Sequence, residues 1–285
     1  MRFGAHVSAA GGLWKAGPAG AQLGCEIIQI FSRSPQSFSA KPIEPTDAEK
    51  FRQSMVDNNI KDVYIHAPYI INLASSKNTT HFGSVKILRD ELERGTQLGA
   101  KAVMFHPGSA KEVGREAGID LVIKGLNRIM DGYTGSCQLL IEISAGAGEV
   151  MGDQFEEIAA FIAGAERGSE IGVCFDTQHA FASGYDLRTK DAVDATFELF
   201  DKTIGLHKLV ASHCNDSKVE LAAHKDRHEH LGHGLIGAEG FCHIVAHPKL
   251  QHLDLILETP FDNEGGPEDG SREDDITMLK KYRGC

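Results

Sequence analysis

Six short apolar runs in this chain each close on a side chain able to ligate a metal, at a nearly even interval. VYIH ends on His66, AVMFH on His106, QLLIE on Glu142, KLVASH on His213 and DLILE on Glu258, while IGVCF runs directly into Asp176. The steps between the closing residues are 40, 36, 34, 37 and 45 residues. Each step has room for one strand, a loop, a helix and a second loop, the unit from which parallel barrels are built. Ligand-type residues at successive strand exits of such a barrel are aimed at one point, because all the exits lie on one face. The stretch CFDTQHAFASGYDLR, residues 174–188, sharpens this by setting His179 three positions after Asp176. The bland alternative there is an Asp that caps a helix beside an ordinary loop histidine.

The rest of the chain keeps the same rhythm. MRFGAHVS is a short strand with His6 at its exit, a residue better suited to supporting a ligand or touching substrate than to being one. Helices are expected near 13–23, 46–59, 80–98, 116–131, 154–165, 190–204, 238–246 and 273–281. Thr46 and Glu49 have the spacing of a capping box for the second of these, and Gly99 is placed to end the third. Eight strand-helix alternations predict a single (β/α)8 TIM barrel over residues 1–285, with its site at the C-terminal face of the strands. No internal repeat or linker divides it.

Composition excludes several other classes. No run of 18 apolar residues is present, and MRFGAHVSAAGG lacks the order of a signal peptide, so a cytoplasmic protein without a membrane partner is expected. The six cysteines, Cys25, Cys137, Cys174, Cys214, Cys242 and Cys285, form no CxxC pair and are expected to be reduced. A net charge of −11 argues against nucleic-acid binding through bulk positive field. Part of that charge, however, belongs to candidate ligands that bound cations would neutralise, and a local basic rim can still grip phosphate.

The region HCNDSKVELAAHKDRHEHLGHGLIG is the densest in histidine. Asp226 and His228 are two apart and project to the same side of an extended segment, with His230 as a competitor. His81, His207, His224, His243, His247 and His252 fall on helices, connections or a strand start and are expected to be structural or surface residues. Five imidazoles (His66, His106, His179, His213, His228) and four carboxylates (Glu142, Asp176, Asp226, Glu258) then form a mixed nitrogen and oxygen set. Such a set suits zinc, manganese or iron and not all-oxygen magnesium or calcium sites. At three or four ligands per ion with one carboxylate shared, nine ligands hold three ions. A multi-metal cluster without a phosphate-binding glycine loop, a nucleotide-cofactor motif or a Ser or Cys nucleophile points to metal-assisted hydrolysis. Phosphodiester cleavage benefits most, since paired ions lower the pKa of a shared water to about 7 and neutralise developing charge.

The strings GAHVSAAGG, INL after His66, FHPGS, the AGxG after Glu142, CFDTQHAFASGYDLR, HCNDSK, DRH followed by LGHGLIG, and LETP resemble endonuclease IV, the zinc-dependent apurinic/apyrimidinic endonuclease family. They run in family order from residue 4 to residue 260. The resemblance implies three Zn2+, with Mn2+ or Fe2+ as substitutes at some sites. His66, His106 and Glu142 would hold one ion, Glu142 as bridge with Asp176, His213 and Glu258 a second, and His179, Asp226 and His228 a third. It further implies a deoxyribonuclease IV-type hydrolase of base excision repair, acting as a monomer on double-stranded DNA that contains abasic sites or blocked 3′ ends. Such enzymes cut 5′ to the abasic site, leaving a 3′-hydroxyl and a 5′-deoxyribose phosphate, with Glu142 as the carboxylate that orients the nucleophile. Tyr69 matches a residue the family inserts into the duplex.

The loop after the second strand departs from the resemblance. Where bacterial-type members often carry Asn-Gln-Arg-Gln-Trp, this chain has Ser34-Pro35-Gln36-Ser37-Phe38, so Gln36 cannot supply an arginine's charge and gap filling would be weaker or pass to Phe38. Ile143-Ser144 stands where Asn-Thr is usual, and His233 where Glu is common. Arg33, Lys41, Lys77, Arg188, Lys218 and Arg227 lie in loops of the expected active face and are candidate phosphate contacts. Two other functions fit parts of this pattern. A xylose-isomerase-like sugar isomerase or epimerase would share the barrel and bind two ions or fewer, and a non-catalytic abasic-DNA-binding protein would hold damaged duplex without cutting it.

Overall fold

The computed structural model describes residues 1–37, 39–260 and 271–285; Phe38 lies outside the described residues. The expected barrel forms. Its strands are β1 (Arg2–His6), β2 (Ile27–Ile30), β3 (Val63–His66), β4 (Ala102–Phe105), β5 (Gln138–Glu142), β6 (Gly172–Asp176), β7 (Leu209–His213) and β8 (Asp254–Leu257). They close in sequence order, with β1 pairing both β2 and β8, and every pair is parallel. The strands are buried almost throughout, which explains why they read as continuous apolar runs and not as alternations.

The inside of the barrel is filled by Ile27, Tyr64, Ala102, Met104, Leu140, Cys174, Ala211 and Ile256. This core is a plug of side chains, so no passage runs from one end to the other. Its N-terminal end is closed by Asp254, which is buried and accepts from Arg2 Nε at 2.8 Å, Tyr64 Oη at 2.5 Å and Lys101 Nζ at 3.1 Å. The opposite end is left for the site.

Around the barrel lie α1 (Ala16–Gln22), α2 (Pro45–Asp57), α3 (Asn78–Leu98), α4 (Arg115–Met130), α5 (Phe155–Gly164), α6 (Thr177–Ala182), α7 (Lys190–Thr203), α8 (Gly237–Ala246) and α9 (Arg272–Tyr282). α3 ends where expected, with Gly99 left-handed at φ 72°. None of the described helices is long and apolar enough to cross a membrane.

Three local expectations are corrected. Thr46 and Glu49 form no capping box: α2 starts one residue earlier on Pro45, whose fixed φ and missing N–H suit the first helical position, and Glu44 is the unbonded cap. Cys242 and Cys285 are joined in a disulfide, their Cα atoms 5.9 Å apart, while Cys25, Cys137, Cys174 and Cys214 are free and buried. The packing of α9 beside α8 brings the C-terminus to Cys242, a proximity that a spacing of 43 residues does not announce. Finally, the strand-six exit is not loop alone, because α6 begins immediately after Asp176.

Candidate metal centre

The six strand ends meet at the C-terminal mouth. β3, β5, β6 and β7 terminate on His66, Glu142, Asp176 and His213, and His106 and Glu258 are the first residues past β4 and β8. α6 presents His179. A two-residue antiparallel ladder, Asp216–Ser217 against His228–Glu229, returns the long loop after β7 so that His228 faces the same point.

Three groups result, in each of which the ligand atoms lie within 4.8 Å of one another: His66, His106 and Glu142; Glu142, Asp176, His213 and Glu258; and Asp176, His179 and His228. Glu142 and Asp176 each belong to two groups, so the three are contiguous. Glu142 Oε2 lies 3.1 Å from His66 Nε2 and 3.5 Å from His106 Nε2, while its Oε1 lies 2.8 Å from His213 Nδ1. Asp226 sits on the solvent side, 3.4 Å from both His179 Nε2 and His228 Nε2. The third group differs from the set implied by resemblance in that Asp176 takes part, its Oδ2 being 3.6 Å from His228 Nε2. Asp176 is also the helix cap: its Oδ1 accepts from His179 N at 2.8 Å. Capping and cluster membership are both served by one carboxylate.

The rings are oriented by neighbours that leave one nitrogen facing the cluster. Nδ1 of His66 donates to Ala67 O at 2.7 Å, Nδ1 of His179 to Ile143 O at 2.9 Å, and Nδ1 of His228 to Glu258 O at 3.2 Å. A carbonyl can only accept, so each neutral ring keeps its lone pair on Nε2. His213 is reversed. Its Nε2 meets Gln29 Oε1 at 2.8 Å, and Gln29 Nε2 in turn donates to Glu258 Oε1 at 2.6 Å. His6 Nδ1 lies 2.9 Å from the same Gln29 amide, in the supporting place expected for it. His230 turns away from the cluster to Asp275, 2.7 Å distant, and is no competitor for a ligand position.

Sequence reasoning missed two supports. Gln29 was readable as the single amide in the apolar run CEIIQIF. Asn215, two residues past His213, donates through Nδ2 to Asp176 Oδ2 and accepts through Oδ1 from Glu258 N, both at 2.8 Å. Partners of this kind typically contribute 10- to 100-fold to metal affinity. Gln29→Leu is therefore expected to weaken metal binding by about 10- to 100-fold while leaving the circular dichroism of the barrel unchanged, as read by chelator competition.

The electrostatics suit cations. Burial works to protonate Glu142, yet the imidazoles of His106 and His213, with hydrogen bonds from His179 and His213, hold it well below the carboxylate range. Glu258 is likewise held down to about 2, His213 and His66 outweighing its burial. His106 is pushed down to about 4, chiefly by burial, so its ring is neutral near pH 7. Its buried Nδ1 has no hydrogen-bond partner among the described residues. Converging, mostly buried donors of mixed nitrogen and oxygen type fit a zinc-like ion.

The candidate DNA contacts fare unevenly. Tyr69 is 67% exposed at the rim, its ring edge-on to Phe31 at 5.4 Å and 5.6 Å from that of His66. Beside it a cavity of about 370 Å³ is lined by Tyr69, Asn72, Ser109, His106, His179 and Asp226. Gln36 and Lys41 are exposed. Arg33 is corrected: its guanidinium is buried against Asp90 and Glu91, where it fastens the strand-two loop to α3 and cannot reach a phosphate. Lys77 is paired with Glu112 at 2.6 Å and Arg188 with Asp186 at 2.8 Å. Lys218 lies 3.7 Å from Glu229, and Arg227 donates to Asp226 O.

A parallel eight-stranded barrel with ligand-type residues gathered at its C-terminal mouth defines a xylose isomerase-like TIM barrel, and the family model of that description matches residues 19–282. The probable endonuclease 4 of Halorhodospira halophila is 43% identical over 286 residues, covering 99% of this chain and 93% of its own. The crystal structure of endonuclease IV from Thermus thermophilus superposes with a TM-score of 0.84 at 34% identity, covering 100% of this chain and 98% of that one. The chain belongs to the endonuclease IV family, a family of enzymes. A D-tagatose 3-epimerase-like protein superposes with a TM-score of 0.72 at 20% identity, over 99% of this chain and 97% of that one. That likeness extends to the fold alone.

Proposed function

We propose that this enzyme hydrolyses the phosphodiester 5′ to abasic sites in duplex DNA, leaving a 3′-hydroxyl and a 5′-deoxyribose phosphate, and that it also trims blocked 3′ ends. The observation that carries this reading is the meeting of eight donor side chains in one open mouth, with Glu142 shared between groups and Asp226 3.4 Å from His179 and His228, beside an exposed tyrosine and a cavity. His66, His106 and Glu142 would hold one Zn2+; Glu142, Asp176, His213 and Glu258 a second; and His179, Asp226 and His228, with Asp176 adjoining, a third. When bound, zinc supplies Lewis acidity, activating a water and neutralising charge that develops on the phosphate.

The chain's own residues supply the rest. Three divalent ions would bring six positive charges against the four ligand carboxylates, making the mouth attractive to phosphate on a chain whose net charge is −11. Gln29 and Asn215 lock the carboxylates and His213 so that little reorganisation is needed as substrate binds. An abasic nucleotide has no base to unstack and leaves the duplex at low cost. The Tyr69 ring occupies the gap, and the adjoining cavity takes the extruded sugar. With Gln36 in the place of an arginine, this gap filling falls to Tyr69, with Phe38 as the second candidate and Gln36 as a polar contact.

Base-aromatic stacking is worth about 1–3 kcal/mol. Tyr69→Ala is accordingly expected to weaken binding of abasic duplex by roughly 5- to 150-fold with full metal content retained, measured by fluorescence anisotropy on a non-cleavable abasic analogue. The reading as a whole is tested by a nicking assay on duplex carrying one abasic analogue. A nick immediately 5′ to the lesion without added magnesium, lost in chelator and recovered with zinc, supports it. Intact substrate with fully metallated enzyme overturns it.

A further inference from the structure

Asp226 and His228 differ from the other donors in how they are held. Seven donors sit on or next to barrel strands or α6, but these two lie within a long excursion between β7 and α8, whose middle carries no helix. Asp226 has no barrel strand behind it, and its side chain is 57% exposed. Something must hold this segment in place for it to ligate at all.

Two fully buried polar side chains do so. Gln178, between Asp176 and His179, donates through Nε2 to Lys225 O at 3.0 Å and accepts through Oε1 from Arg227 N at 3.2 Å. It therefore grips the main chain on both sides of Asp226. Asp216 holds the other half. Its carboxylate accepts from the amides of Ser217, Gly232, Gly234, Ile236 and Gly237 at 2.8 to 3.3 Å, and among the described residues no ion pair reaches it. These amides curl the segment after His228 around one carboxylate, while Asp216 and Ser217 pair with His228 and Glu229 on the ladder. The fit is close. A Cβ at Gly234 would lie 2.5 Å from Asp216 Oδ1 and 2.6 Å from Ser217 O, so a glycine is required there.

We infer that Gln178 and Asp216 form a two-point clamp that positions Asp226 and His228, and so sets the affinity of the outermost metal site without touching metal or substrate. This rests on the three-metal reading above. The clamp gives that site a separate fate: it can be loosened while the two strand-borne groups, which neither residue touches, stay intact.

The test uses Gln178→Met, which removes both hydrogen bonds at similar volume, and Asp216→Asn, which turns an amino group towards amides that need an acceptor. Each variant is expected to keep the barrel's circular dichroism and to bind two zinc ions per chain at a free zinc level where the wild type binds three. Hydrogen exchange by mass spectrometry should show protection lost in residues 225–237 and unchanged in the strands. Activity should return in excess zinc, since a weakened site can be refilled. Wild-type protection in that segment would overturn the clamp, as would activity that stays low at full zinc occupancy. Should Asp216→Asn not fold, Gln178→Met and Gly234→Ala carry the same measurements. A wild type with fewer than three zinc ions, or one that leaves abasic duplex uncut, would count against the proposed function instead, because the exchange measurement reads the clamp either way.

Discussion

Glu142→Gln is expected to lower kcat on abasic duplex by at least about 10³-fold, equivalent to roughly 4 kcal/mol of transition-state stabilisation. Glu142 is fully buried, and its two oxygens face His66, His106 and His213 from opposite sides. Glutamine has nearly the same volume, so packing is kept and the change isolates the charge. It leaves two adjoining groups without their common carboxylate and points an amide N–H₂ where a cation is meant to sit. Zinc content should fall by at least one ion per chain. Single-turnover cleavage at saturating DNA is the measurement, which separates the chemical step from the loss of phosphate affinity that accompanies a missing ion. A variant within tenfold of wild type would remove Glu142 from the shared position.

Stripping the metal should abolish cleavage and lower Tm by about 10 °C or more. A site at a free metal concentration 1,000 times its Kd contributes about 4 kcal/mol, and each kcal/mol is worth about 2–4 °C for a chain of this size. The pH dependence separates the two forms. In the metal-free cluster the pKa of His179 is raised: burial opposes this, and Asp176, Asp226 and Glu142 overcome it. His66 is raised against its burial by Glu142. A group whose folded pKa is raised adds stability that is complete below its unfolded value of about 6.5 and is lost as pH rises through the folded value. Glu142 and Glu258, both lowered, add stability that is lost only in stronger acid. His106, held low by burial, works the other way but only up to its unfolded value, so the metal-free protein should lose stability from pH 7 to pH 8. The loaded protein should gain over the same range, because ligation needs neutral imidazoles. Thermal unfolding of both forms across that window is expected to give slopes of opposite sign.

Much of the fold was legible because barrel strands are buried on both faces and their exits recur at a fixed interval. Six of the nine donors fall at those exits, so the same periodicity that predicted the barrel located the cluster. What stayed hidden depended on contacts between distant segments. Gln29 looked like one polar residue in a strand until β2 was seen beside β1 and opposite His213. The role of Asp176 in the third group depends on the return of the ladder, which fixes His228 against it. Arg33 illustrates the opposite error. A loop arginine near the active face reads as a phosphate contact, and only the approach of Asp90 and Glu91 on α3 shows that its charge is already committed. The missed disulfide has the same origin, since helix packing and not spacing brings Cys285 to Cys242.

In the proposed centre, nine side chains from eight segments would hold three metal ions in one mouth. Anomalous diffraction at the zinc edge, on crystals of protein purified without chelator, tests it most directly. Three peaks are predicted, each within bonding distance of its own group, with Glu142 shared between two. A single peak, or none near Glu142 in protein that still cuts abasic duplex, would rule out a shared three-metal centre.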